Sequence, residues 1–334
     1  MKRATMADVA QLANVSKSTV SQYLNKRYDY MGEKTKKRIE EAINELGYQA
    51  NYVARSLKQK RTSTIGVIVA NILHTFSTQV IRAIEDVCNE QNIHVIVCNA
   101  DDDPEKEKKY INMLRAKQVD GLIVFPTDGN IDLYEQMVNE RYPLVFIDRK
   151  IESPAVDTFL LDNEEAANLA VNHFVEKGHT RIGMITTSLI RNVTPRVERI
   201  AGYKKALKSY GIEPVKGYVK GLEVDEIKRG LAEMMSLEKP PTALLAGNDL
   251  TLMEVLHFAK EKNVKIPGDL ALISIDDVSF ANIYNPQLTT VAQPAFEIGE
   301  RAGIQLIKRI NEEGNYSDSR IYRFKPKIIK RDSC

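Results

Sequence analysis

Four polar residues within six positions, Lys17, Ser18, Ser21 and Gln22, are of the types that read base edges. Lysine donates to guanine acceptors, and glutamine can pair with adenine in bidentate fashion. Further along, short apolar runs each end in polar residues: Asn71, His74 and Phe76; Asn99 and Asp101; Pro126 and Thr127; Asp148 and Arg149; Thr186; Asn248 and Asp249; Asp276 and Asp277. Asp, Asn and Arg beside an aromatic ring offer paired hydrogen bonds to hydroxyls and a face to stack on, which is what a sugar needs. Each residue alone has a plainer reading. Lys17 and Gln22 could sit on a solvated helix face, Phe76 in a core, and Asp249 at a helix cap. Joint placement is what carries weight.

The first group must be held by short helices. Thr5 can cap a helix starting near Met6, with Asp8 closing a capping box. Val9, Ala10 and Ala13 then share a face. Asn14 suits a tight turn, because asparagine tolerates the left-handed conformation. Ser16 can cap a second helix to about Leu24, on which Val20, Tyr23 and Leu24 follow buried-stripe spacing. That leaves Lys17, Ser18, Ser21 and Gln22 facing outward. A third helix is expected from about Glu33 to Leu46, ended by Gly47. A helix, a tight turn and a polar-faced second helix form a helix-turn-helix. Thr5, Ser16, Lys17, Ser18, Thr19, Ser21, Gln22 and Asn25 make up its DNA-contacting set.

Charge agrees. Residues 1–61 hold 13 Lys and Arg against 6 Asp and Glu, whereas the other 273 residues hold 34 against 39. A small basic head on a mildly acidic body is the footprint of a polyanion-binding module joined to something else.

The second group must be held by a sheet. Apolar runs at 65–69, 94–98, 122–125, 144–147, 159–161, 182–186, 243–246 and 271–275 alternate with amphipathic stretches. Such alternation predicts parallel strands with helices on both faces. Ligands then bind off the carboxyl ends of the strands. A crossover between two similar subdomains is expected near Asp162 and Asn163.

Several function classes are excluded. The apolar runs are too short to span a bilayer. The segment MKRATMADVA lacks an apolar h-region, so no secretory signal is expected. Cys88, Cys98, Cys334 and the five histidines show no metal spacing, and no cofactor is expected. There is no nucleotide-binding glycine motif and no nucleophile elbow, which argues against an α/β enzyme acting on a sugar. The missing signal and the basic head argue against a transport component.

The run ATMADVAQLANVSKSTVSQYLN, followed by KTKKRIEEAINELGYQANYVARSLKQKRTSTIGVIV, resembles the lactose/purine repressor family of bacterial transcription regulators. Order, spacing and residue types match over about 65 residues, and more loosely to the C-terminus. Two positions depart from the usual pattern: Asn14 stands for a common Gly, and Gly32 for a capping Ser or Thr. The resemblance implies a hinge helix over Asn51–Lys58, with Asn51 as its cap. Leu57 would wedge into the minor groove, and Arg55 and Lys58 would reach phosphates. It also implies a body like a periplasmic sugar-binding protein, made of two doubly wound parallel-sheet subdomains. Arg199, Asn248, Asp276 and Gln293 match effector contacts.

The expected organisation is therefore an all-α head over 1–50, a hinge over 51–61 and a body over 62–334. Within the body, about 62–161 with 291–320 would form one subdomain, and 162–290 with 321–334 the other. The effector set is His74, Phe76, Asn99, Thr127, Asp148, Arg149, Arg199, Asn248, Asp276 and Gln293. Arg149, Arg191 and Arg196 with His74 lean toward an anionic effector such as a sugar acid, and the resemblance includes regulators of the 2-keto-3-deoxygluconate-operon type; an aspartate-arginine pair such as Asp148 and Arg149 is common in the family for neutral sugars too. The function expected is a cytoplasmic, non-enzymatic regulator, read as a repressor of carbohydrate-utilisation genes. It would bind a near-palindromic operator in double-stranded DNA as a homodimer, with no membrane partner.

Overall fold

The computed structural model describes residues 4–29, 31–48, 61–190, 193–312, 315–316 and 318–334. The chain divides into two compact units, Met1–Thr62 and Ser63–Cys334.

The first unit holds α1 (Met6–Leu12), α2 (Lys17–Leu24) and α3 (Glu33–Leu46). Local chemistry sets each boundary. The Asp8 amide donates to Thr5 Oγ1 at 3.3 Å, and the Thr5 amide donates back to Asp8 Oδ2 at 2.7 Å. Two of the orphan donors at the start of α1 are thereby satisfied. Asn14 takes the left-handed turn at φ 49°. The Thr19 amide donates to Ser16 Oγ at 3.1 Å, capping α2. Gly32 supplies no side-chain cap to α3, and Gly47, at φ 55°, ends it. Val9, Ala10, Ala13, Val20, Met31, Ile39, Ala42 and Tyr48 form the buried core, with Tyr23, Leu24, Ile43 and Leu46 half-buried around it.

The second unit contains two six-stranded sheets. The first lobe runs through β1 (Thr64–Val69), α4 (Thr75–Glu90), β2 (His94–Asn99), α5 (Pro104–Ala116), β3 (Gly121–Val124), α6 (Ile131–Asn139), β4 (Leu144–Ile147) and β5 (Thr158–Leu161). The second runs through α7 (Asn163–Glu176), β6 (Ile182–Thr187), α8 (Thr194–Ser209), β7 (Val219–Leu222), a 3₁₀ turn (Val224–Glu226), α9 (Ile227–Met235), β8 (Ala243–Ala246), α10 (Asp249–Lys262), β9 (Ala271–Ile275) and β10 (Thr289–Ala292). The chain then returns through α11 (Ala295–Asn311) and β11 (Ile321–Phe324), and ends with β12 (Lys327–Ile329).

Strand order is β11-β5-β4-β3-β1-β2 in the first sheet and β12-β10-β9-β8-β6-β7 in the second. All pairings are parallel except β10 with β12. Both faces of each sheet are covered, so the central strands are buried throughout.

Two expected subdomain limits are corrected. Strand Ile321–Phe324 pairs with β5 in the first sheet, so the last crossing falls at 325–326 rather than at 320–321. Residues 291–292 lie in β10 of the second sheet, so the middle crossing falls at 293–294. Short, half-exposed strands such as β11 and β12 have their sheet chosen by edge pairing, which local pattern does not encode.

Candidate functional site

In the head, Lys17, Ser18 and Gln22 are exposed on α2, whereas Ser21 and Thr19 are half-buried. Thr5 and Ser16 spend their hydroxyls on caps, and Ser16 Oγ lies 2.8 Å from Thr19 Oγ1. Asn25 folds back to donate to the Ser21 carbonyl at 2.7 Å. The face open to a partner therefore centres on Lys17, Ser18 and Gln22. Asn51, Arg55, Leu57 and Lys58, expected in a hinge helix, lie outside the described residues, as does Arg191.

In the body, a cleft between the lobes spans about 470 Å³, part of it open to solvent. The first lobe contributes Ala70, Asn71, His74, Phe76, Ser77, Phe125, Asp148 and Arg149. The second contributes Val193, Pro195, Arg196, Arg199, Asn248 and Asp276, and Gln293 lies on the crossover. Most follow the strand-end rule: Asn71 comes after β1, Asp148 and Arg149 after β4, Asn248 after β8, Asp276 after β9 and Gln293 after β10.

Arg199 is buried on α8. Its Nε donates to Asn163 Oδ1 at 2.9 Å and its Nη1 to the Gly247 carbonyl at 2.6 Å. Nη2 has no such bond among the described residues. Two fixed donors hold the planar fork in one orientation. Asp276, at φ 83°, accepts from Gln293 Nε2 at 2.6 Å and from the Asp249 amide at 3.3 Å. Burial and the nearby Asp249 charge push its carboxyl up, against the pull of Arg199.

On the opposite lobe, Asp102 pairs with Arg149, and Arg196 Nη2 reaches its other oxygen at 3.4 Å. Burial opposes ionisation of Asp102, but the charge and hydrogen bond of Arg149 outweigh it, so its carboxyl titrates below the usual range. Asp148, at φ 69°, stands with its carboxylate 3.7 Å from Arg149 Nε, a buried donor with no hydrogen bond. This donor and acceptor, side by side, suit a hydroxyl.

The structure brings eight of the ten expected effector residues to the cleft wall; Asn99 and Thr127 are elsewhere. Asn99 accepts from the Ile72 amide at 3.0 Å and donates to Asp101 at 2.6 Å, bracing a loop. Thr127 is buried, and its amide donates to Glu107 Oε2 at 2.7 Å. Strand-end residues can turn to a neighbouring helix as readily as to the cleft. Asn248 lines the cleft but also caps α10, accepting from the Thr251 amide at 2.9 Å. The strand-end rule would have flagged Asn163, just beyond β5, whose role in holding Arg199 was not anticipated.

The leaning toward an anionic effector weakens on this geometry. Arg149 and Arg196 share Asp102, Arg199 faces Asp276, and His74 pairs with Asp249. Among the described residues, no group of His, Cys, Asp and Glu could hold a metal ion. No helix among them is long and apolar enough to cross a membrane.

Residues 5–51 match the family described as bacterial regulatory proteins, lacI family, and residues 171–334 match a periplasmic binding protein-like domain. The probable HTH-type transcriptional regulator EndR of Paenibacillus polymyxa is 50% identical, over 98% of both chains. The HTH-type transcriptional regulator KdgR of Bacillus subtilis (strain 168) is 33% identical, over 98% of this chain and 97% of its own. A crystal structure of the Lac repressor bound to ONPG in the repressed state superposes with a TM-score of 0.86 at 25% identity, covering 100% of each chain.

Proposed function

The chain belongs to the lacI family of bacterial regulatory proteins and is a DNA-binding transcriptional regulator rather than an enzyme; from that premise we propose that it represses carbohydrate-utilisation genes under control of a small polyhydroxylated effector. One observation carries the effector reading. The buried fork of Arg199, the Asp148–Arg149 pair and the Phe76 ring converge on one cleft between two lobes. Fixed donors, an acceptor and an aromatic face are what a sugar requires.

Lys17, Ser18 and Gln22 read base edges in the major groove, one head per half-site of a near-palindromic operator, as a homodimer in the cytoplasm. By family resemblance, Leu57 and its neighbours bind the central minor groove. Effector binding changes the angle between lobes and so biases those segments, with a coupling of about 1–3 kcal/mol.

Fluorescence anisotropy on selected pseudo-palindromic duplexes, at two salt concentrations and with a panel of sugars and sugar acids, tests this reading. Tight, salt-dependent, sequence-selective binding that one sugar changes is the expected result. Weak binding to every sequence, unmoved by any ligand, overturns it.

A further inference from the structure

Beside Gln293 lies a second compartment, also about 470 Å³ with its open part. Phe76, Asp276 and Gln293 belong to the walls of both compartments, whereas Thr75, Gln79 and Asp277 line only the second.

The two compartments differ in charge. Arg149, Arg196, Arg199 and His74 line the first, and among the described residues no cationic side chain lines the second. Asp277 is held from behind, accepting from Thr290 Oγ1 at 2.7 Å and from Arg331 Nη2 at 2.9 Å. The second compartment therefore offers fixed carboxyl, amide and hydroxyl groups to a ligand rich in donors, without the arginines that line the first.

Gln293 sits at the junction. Its Nε2 is committed to Asp276 at 2.6 Å, while its Oε1 is buried and accepts no hydrogen bond. A buried acceptor left unpaired is costly, so a ligand donor at this point gains more than an ordinary surface contact. Phe76 gives both compartments a common apolar edge.

We propose that the effector is a neutral saccharide of two linked units, one on the Arg199 side and the other in the second compartment, with its linkage passing Phe76 and Gln293. This rests on the sugar-effector reading above and narrows it to a length and a charge.

Isothermal titration calorimetry of the full-length protein tests it with glucose, galactose and xylose against cellobiose, maltose, lactose and xylobiose. One disaccharide should bind at least about tenfold more tightly than its component monosaccharides. Gln79→Phe, which fills the second compartment from α4, should remove that advantage and leave monosaccharide affinity within about twofold. Gln79→Asn, folded and keeping the amide, should retain most of it. A monosaccharide that binds as tightly as any disaccharide, or a disaccharide indifferent to Gln79→Phe, overturns the two-unit assignment alone. Binding by no saccharide of either length overturns the sugar-effector reading and the two-unit assignment with it.

Discussion

His74 Nδ1 lies 2.6 Å from Asp249 Oδ1, joining the residue before α4 on one lobe to the first residue of α10 on the other. The Thr75 amide donates to Asp249 Oδ2, also at 2.6 Å. One carboxylate thus takes two donors from the opposite lobe. Asp249 also hands its own amide to Asp276, at 3.3 Å. The lobe contact and a candidate effector contact are therefore one hydrogen bond apart.

This pair makes lobe closure sensitive to pH. Burial alone would lower the His74 pKa, but the hydrogen bond and charge of Asp249, helped by Asp276 and Asp148, raise it above 6.5. Burial likewise opposes ionisation of Asp249, yet His74 and the amides of Thr75 and Leu250 hold it below the usual carboxylate value of 3.8. The histidine contribution is fully present below its unfolded pKa and is lost as pH rises through the raised folded value. The aspartate contribution is present above its unfolded pKa and is lost as pH falls through the lowered value. The pair is thus strongest from about pH 4 to 6.5. His74→Gln should cost about 1.5–3 kcal/mol at pH 6 and progressively less as pH rises past the raised value. Thermal unfolding at half-unit pH steps reads this directly; an equal loss at every pH would remove the proton from the account.

Arg199 is the second test. Its guanidinium makes two directional bonds, to Asn163 and to the Gly247 carbonyl, which the single ammonium of lysine cannot reproduce. Arg199→Lys should therefore abolish the response to the sugar that otherwise moves the operator equilibrium, or shift its midpoint by at least about tenfold. Specific operator binding without sugar should persist. Anisotropy titrations with and without sugar separate the two effects, and an undisturbed midpoint would take Arg199 out of the effector site.

Gln22 is exposed on α2. Gln22→Ala should relax preference at one operator position by about 1–3 kcal/mol and leave the salt dependence of binding unchanged. Competition between duplexes substituted one position at a time measures it. Equal losses on all sequences would make Gln22 a phosphate contact instead.

What the sequence made legible follows from how local each signal is. Thr5 with Asp8, Ser16, Asn14 and Gly47 act within a few residues, so the three head helices could be read with their caps. Central strands such as Leu144–Ile147 are buried on both faces and stand out as apolar runs. Val219–Leu222 and Ile321–Phe324 are edge strands with exposed or half-exposed positions, and their partners lie far away in sequence. Strand-end logic led to Asp148, Asn248 and Asp276, but misled at Thr127, where buried Glu107 takes the backbone amide inward. Arg199 sits on a helix, so only the family resemblance pointed to it.

Gly202 ties stability to the same site. A Cβ there would stand 2.4 Å from the Glu164 carbonyl oxygen and 2.6 Å from the Glu164 Cα, so the backbones of α7 and α8 approach too closely for any side chain. Relief requires the helices to part, because the obstructing atoms are main chain and cannot rotate away. Gly202→Ala should therefore destabilise the body by about 1–3 kcal/mol, outweighing the better helix propensity of alanine, which is worth about 1 kcal/mol. α8 also carries Arg199, and α7 begins at its partner Asn163, so the same displacement should stretch the 2.9 Å bond between them. Sugar response should weaken along with the melting temperature. Gly32→Ser is the contrasting control. No atom lies within 4 Å of the added Cβ, and the backbone at φ −67° and ψ 149° already suits a capping hydroxyl for α3. That change should gain a few tenths of a kcal/mol in the head and leave the sugar response untouched. Melting curves and sugar titrations of the two variants, side by side, distinguish a close helix contact that positions Arg199 from a general intolerance of glycine replacement.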